Sequence, residues 1–193
     1  VLDSRLKAMI DMVPKKIPGI SLNDDPQSFF PDGTKQMRVA LMTGCAQRAL
    51  DTDINDATIR VLKRFGCEVV IAAGQGCCGS LSHHMGKKCD AKSTALQNID
   101  AWYSELSDNG LDAIVINTSG CGTTIKDYGF IFRDDKELVK KAKKISELTK
   151  DITEFLDENL KLDFKDNEEK KYKIAYHSAC SMQHGQKIHE QPI

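Results

Sequence analysis

Charge of one sign, aromatic surface and long apolar runs are all scarce in this chain. The formal net charge is -1, from 27 Lys and Arg against 28 Asp and Glu. There is no basic surplus for nucleic-acid phosphates or for anionic lipid. Aromatic residues make up 6% of the chain, too few for a platform on which single-stranded bases would stack. No apolar run nears the roughly 20 residues that cross a bilayer, and no signal peptide is visible. A secreted disulfide framework fits poorly as well. The cysteines number seven, an odd count, and Cys77 and Cys78 are adjacent; secreted frameworks are not built that way. A reducing, cytoplasmic setting in which thiols serve metal or redox chemistry fits better.

The 193 residues suffice for one domain with a real core and the start of a second. Val1 stands where Met would begin a chain, and the last residues follow directly on a Cys-containing motif. An internal fragment of a longer protein is therefore expected. Residues 2–13 read as a short amphipathic helix, with Leu6, Met9, Ile10 and Val13 on its apolar side. Four of the five prolines (Pro14, Pro18, Pro26 and Pro31) then fall together with Gly19 and Gly33, which predicts an extended linker or wrapping arm.

From residue 37 onward short apolar runs alternate with helical periodicity. Strands are predicted over 37–43, 67–73, 113–118 and 173–178. Helices are predicted over 53–65, with Ile54, Ala57, Val61, Leu62 and Phe65 inward, over 88–107, with Ala91, Ala95, Ile99 and Trp102 inward, and over 136–160. A short helix is expected after Gly122, and 163–171 reads as a charged, solvated loop. This alternation predicts an α/β fold, a Rossmann-like three-layer domain with a mostly parallel sheet.

The cysteines follow the strands. Cys45, Cys77, Cys78, Cys121 and Cys180 each come just after an apolar run, so in a parallel sheet their thiols converge at the edge where such sheets bind ligands. The intervals are long: 31 residues separate Cys45 from Cys77, and 42 separate Cys78 from Cys121. These are crossover lengths rather than zinc-finger loops. Gathered thiolates point to a metal ion or an iron–sulfur cluster, and two sulfurs on neighbouring residues suit several irons better than one small ion. The flanking Gly44, Gly76, Gly79, Gly120 and Gly122 would let backbone N–H groups approach the sulfurs. Cys67 and Cys89 read as structural. His83 and His84 are candidates for a ligand, a proton donor or a helix start, and His177 and His184 flank Cys180.

Cys45, Cys77-Cys78-Gly79 and Cys121 resemble the CCG cysteine-rich domains. Within that superfamily the segments 43–47, 76–79, 97–102, 119–122, 126–129, 177–180 and 183–187 resemble the glycolate oxidase iron–sulfur subunits, which are related to the cysteine-rich subunits of the heterodisulfide reductases. The resemblance implies that Cys45, Cys77, Cys78, Cys121 and Cys180 bind an iron–sulfur cofactor, with Cys45, Cys77, Cys78 and Cys121 as metal ligands. His84, Gly79 and His177 would support them. A 4Fe-4S cluster is implied, and zinc is the alternative. Thr124 stands where the family pattern has a further Cys, which leaves four thiols in this copy. The 39–46 and 174–181 segments align as strand-then-Cys. The expected division is thus a helix and linker over 1–35, a first CCG domain over 36–162, and the start of a truncated second over 172–193. The resemblance further implies an electron-transfer subunit, cytoplasmic or peripheral on the membrane's inner face. It would pass electrons from flavin-containing glycolate oxidase subunits towards quinone. Two alternatives stand beside it: a zinc-holding docking module without redox function, and a thiol–disulfide oxidoreductase.

Overall fold

A computed structural model describes residues 3–11, 19–159 and 173–193. The predicted ends of the first helix, Pro14 and Pro18, and the charged loop 163–171 lie outside the described residues. The chain runs through α1 (Ser4–Asp11), β1 (Gln27–Phe29), β2 (Met37–Leu41), α2 (Gln47–Leu50), α3 (Asp53–Arg64) and β3 (Cys67–Ile71). It continues through α4 (Ser80–His84), α5 (Lys88–Asn109), β4 (Ala113–Ile116), α6 (Ser119–Lys126) and α7 (Tyr128–Ile131). Then come α8 (Leu138–Leu148), β5 (Thr149–Asp151), α9 (Ile152–Asn159) and a π-helical turn over Ser181–Gln186.

Five strands form one sheet in the order β1-β3-β2-β4-β5. All neighbours are parallel except β1, which runs antiparallel along β3. The predicted wrapping arm thus supplies an edge strand. Side chains alternate across the sheet with period two. Val39, Leu41, Val69, Ile71 and Val115 pack with Ile59 and Leu62 of α3 and Phe155 of α9. Ala40, Met42, Val70, Ile114 and Ile116 pack on the other face with Ala95, Ile99 and Trp102 of α5 and Ala142 and Ile145 of α8. Helices on both faces make this the expected three-layer α/β domain.

Three expectations are corrected. The helix predicted over 136–160 is two helices with a strand between them. Thr149 Oγ1 donates to the Ile145 carbonyl at 2.8 Å where α8 ends, and Thr149–Asp151 pairs with Ile114–Ile116. Asp151 then starts α9 with a reciprocal cap. Its carboxylate accepts from the Thr153 N–H at 3.0 Å, and Glu154 accepts from the Asp151 N–H at 3.1 Å. That Asp-x-x-Glu spacing is the signal in the sequence for a helix start here. The strand predicted over 173–178 does not form; residues 173–177 are exposed and have no regular structure. Finally, α3 buries Asn55, Thr58, Ile59 and Leu62, while Ile54 and Val61 are exposed. The face is rotated because Asn55 and Thr58 bond into the polar network described below.

At the N-terminal end of the sheet, opposite the strand ends that precede the thiols, Arg38 and Glu68 are cross-strand neighbours. Arg38 Nε donates to Glu68 at 3.0 Å, Nη2 to Glu105 at 2.7 Å and Nη1 to the Gly110 carbonyl at 3.0 Å. Burial pushes the Glu68 carboxyl up, but hydrogen bonds from Lys35 and Arg38 outweigh it and hold the group below its usual range. Its contribution to stability is therefore complete above the unfolded value of about 4.3 and is lost as pH falls through the lower folded value. Thermal melts below about pH 4.3 should fall more steeply for the wild type than for Glu68→Gln; parallel curves would refute the assignment.

Candidate metal centre

The strand order places a topological switch point between β2 and β4. The β2 exit leads through α3 on one face of the sheet, and the β4 exit leads to α8 on the other. Ligands of open α/β sheets bind in the crevice that such a divergence opens. Cys45 lies in the loop after β2, Cys77 and Cys78 in the loop after β3, and Cys121 in the first turn of α6 after β4.

All seven cysteines are unpaired thiols. Cys45 and Cys77 stand 4.0 Å apart at sulfur, and Cys78 and Cys121 stand 3.1 Å apart. Exposure is graded: Cys45 is exposed, Cys77 and Cys121 are half-buried and Cys78 is buried. The hydrogen bond shared with Cys121 holds the Cys78 thiol down to about 7, and the same bond, with burial, pushes Cys121 up. Burial also raises Cys77. Gly79 follows with φ +81, a left-handed conformation. A Cβ there would come within 2.6 Å of Thr94 Oγ1 and 3.0 Å of the Ala91 carbonyl, so both the turn and the close approach to α5 require glycine. The Gly79 N–H points at Cys77 Sγ from 3.4 Å.

Polar side chains to which the motifs assign no role hold these loops. Gln47 Nε2 donates to Asn117 Oδ1 at 2.7 Å and also reaches the Thr118 hydroxyl. Asn117 Nδ2 donates to Asn55 Oδ1 at 2.9 Å and to Thr58 Oγ1 at 3.0 Å. Asn55 Nδ2 in turn donates to the Thr43 carbonyl at 2.8 Å, so the Cys45 loop is tied to the end of β4. Behind Cys77-Cys78, Gln75 Nε2 donates to the Leu41 carbonyl at 3.0 Å and Trp102 Nε1 donates to Gln75 Oε1 at 2.8 Å. Asn98 and Tyr128 bond the loop backbone directly. Gln47, Asn98, Trp102 and Tyr128 lie in segments that carry the family resemblance, whereas position is the only sequence signal of Asn117, which directly follows β4. A cleft of about 390 Å³ opens beside Cys45 and Cys77, with Thr43, Gly44, Arg48 and Gln75 in its wall.

The other predicted residues are placed less closely. Cys180 is exposed, and no sulfur contact joins it to the two thiol pairs among the described residues. Its segment nevertheless packs on α6. Ser181 Oγ donates to Ser119 Oγ at 2.7 Å, Thr123 Oγ1 to the Ser181 carbonyl at 3.0 Å and Gln186 Nε2 to the Ser119 carbonyl at 2.9 Å. His84 ends α4 and is exposed, as is His177. Cys67 is buried at the opposite end of β3, its thiol pushed up to about 11 by burial and then by Asp112. Cys89 is exposed in the first turn of α5.

Four soft sulfur donors, backbone N–H groups facing them and partial burial suit a thiolate-bound metal centre. A single tetrahedral ion with metal–sulfur distances near 2.3 Å needs all four sulfurs about 3.8 Å apart. Among the described residues no three His, Cys, Asp or Glu side chains are gathered that closely. The closest sulfur contacts are Cys45–Cys77 and Cys78–Cys121, and Cys77 and Cys78 also interact with each other.

The fold and site define a doubly wound α/β domain with thiols gathered at its switch point. Residues 39–126 match the family described as CCG, Cysteine-rich domain. It is 35% identical over 180 residues to the glycolate oxidase iron-sulfur subunit of Escherichia coli (strain K12), covering 92% of this chain and 42% of that protein. It is 30% identical to the probable glycolate oxidase iron-sulfur subunit of Bacillus subtilis (strain 168), over 94% of this chain and 40% of that protein. It is 31% identical to lactate utilization protein A of the same organism, over 62% of this chain and 48% of that protein. The chain thus spans less than half the length of these relatives.

Proposed function

We propose that this chain is part of the iron–sulfur, electron-transfer subunit of a 2-hydroxy-acid oxidase, with glycolate as the substrate of the whole enzyme. Cys45, Cys77, Cys78 and Cys121 are the ligands. The observation that carries this reading is the pairing of four thiols from three strand-end loops at one switch point, at 4.0 and 3.1 Å. The names of the relatives support it. When bound, an iron–sulfur cluster carries single electrons at a potential set by burial and by hydrogen bonds to its sulfurs. Gly79 and the neighbouring amides provide such bonds. The relatives' names favour an iron–sulfur centre over zinc, and a 4Fe-4S cluster matches four thiolates in number.

A flavin-containing subunit would deliver the electrons and a quinone would receive them. No described helix is long and apolar enough to cross a membrane; in this reading the quinone is met through peripheral association. Residues 36–162 form the first CCG copy and 172–193 begin a second, with Cys180 a ligand completed by later residues.

Anaerobically purified protein should contain iron and acid-labile sulfide and absorb in the visible. The Cys77→Ser/Cys78→Ser variant should lose both iron and sulfide. Stoichiometric zinc without sulfide, lost in the same variant, would overturn the redox reading and leave a docking module. Turnover of a disulfide by metal-free protein would instead favour a thiol–disulfide oxidoreductase.

A further inference from the structure

The Cys77-Cys78 loop is held from behind by its carbonyl groups. Asn98 of α5 is wholly buried. Its Oδ1 accepts from the Gly76 N–H at 2.7 Å, and its Nδ2 donates to the Cys77 carbonyl at 2.9 Å. Tyr128, at the start of α7, is equally buried. Its hydroxyl donates to the Cys78 carbonyl at 2.9 Å, and Asn98 Nδ2 also donates to that hydroxyl, at 3.3 Å. Two core side chains, joined to each other, therefore grip the carbonyls of both adjacent cysteines.

In a trans peptide the C=O and the N–H lie in one plane and point in opposite directions. Drawing the Cys77 and Cys78 carbonyls into the core therefore turns the N–H groups of Cys78 and Gly79 outward, to the sulfur side. The Gly79 N–H does face Cys77 Sγ, at 3.4 Å. Bonding carbonyls to the core also keeps their negative ends away from the thiolates, where they would repel.

We propose that Asn98 and Tyr128 are positioning residues that fix the amide face presented to the Cys77 and Cys78 sulfurs, and so raise the reduction potential of a cluster held there. The potential follows because N–H donors stabilise the more negative, reduced form. This rests on the reading of Cys77 and Cys78 as cluster ligands.

The test compares wild type, Tyr128→Phe and Asn98→Leu by iron and sulfide content, melting temperature and a redox titration followed by visible absorbance. Tyr128→Phe removes only the hydroxyl and keeps the ring in the core; it remains the test if Asn98→Leu fails to fold. The expected result is iron and sulfide equal to wild type with the reduction equilibrium displaced about tenfold to the oxidised side, a downward shift of about 59 mV for one electron. An unchanged potential at full iron content would overturn the proposal, because a merely structural tyrosine lowers the melting temperature alone. If the wild type holds no iron, the ligand reading has failed separately, and amide hydrogen exchange of the metal-free protein decides the clamp. Faster exchange confined to Cys78 and Gly79 in Tyr128→Phe would uphold it, and unchanged exchange there would overturn it.

Discussion

Trp102→Ala is expected to lower stability by about 3–5 kcal/mol, the cost of emptying a large aromatic site in a close-packed core. Trp102 is wholly buried among the residues of α5, α8 and the sheet, and nothing on so packed a face can collapse to fill the void. The indole also bonds the loop beyond it. It donates to Gln75, and Gln75 donates to the Leu41 carbonyl at the end of β2. Truncation therefore leaves the half-buried Gln75 amide oxygen beside the Cys77 loop without its donor, as well as opening a cavity. For a domain of this size the melting temperature should drop by roughly 6–20 °C, at about 2–4 °C per kcal/mol. Calorimetry showing a drop below about 2 °C would mean that α5 is not anchored through this ring. Trp102→Phe should fall between, since it keeps most of the volume and loses the hydrogen bond.

Arg38→Met is expected to cost about 3 kcal/mol, the lower end of the range for breaking a buried ion pair. The side chains of Arg38 and Glu68 are 8% and 10% exposed. Removing the guanidinium leaves Glu68 with Lys35 at 2.5 Å, while Glu105 loses a partner at 2.7 Å. The retained lysine keeps the penalty at the lower end. Much of the loss should return in Arg38→Met/Glu68→Leu/Glu105→Leu, because the penalty lies in the orphaned carboxylates rather than in the absent attraction. Denaturant titrations of both variants separate these origins. A triple variant no better than the single would show instead that the Arg38 bond to the Gly110 carbonyl matters most.

The central parallel strands β2, β3 and β4 and their thiols are legible because each is an uninterrupted apolar run with a Cys beyond its end. Val39–Met42, Val69–Ala72 and Ala113–Ile116 are buried on both faces, which is why they read continuously rather than alternately. Strand β5 was hidden for the opposite reason. Thr149-Lys150-Asp151 is polar, and the apolar residues on either side keep helical spacing through it. The α3 face was misread because hydrophobicity alone assigned it. Asn55 and Thr58 are buried for their hydrogen bonds, a demand that no periodicity reports. Asn98 and Tyr128 lie in the resembling segments 97–102 and 126–129, but their roles are hidden in the same way. An amide on a helix acquires its meaning only when the topology brings the Cys77 loop over it.

The sheet ends at both sides in a three-residue strand, Gln27–Phe29 at one edge and Thr149–Asp151 at the other. Each offers only about 10 Å of open backbone. Pro26 stands directly before the first of them, and Pro31 follows two residues after its end. Such stubs are poor templates for a sixth strand, whether from a misfolded copy or from an amyloid-like stack. Such short edges disfavour self-association by β-sheet extension, and so keep the exposed thiols of Cys45, Cys89 and Cys180 from being drawn edge to edge with those of a second copy.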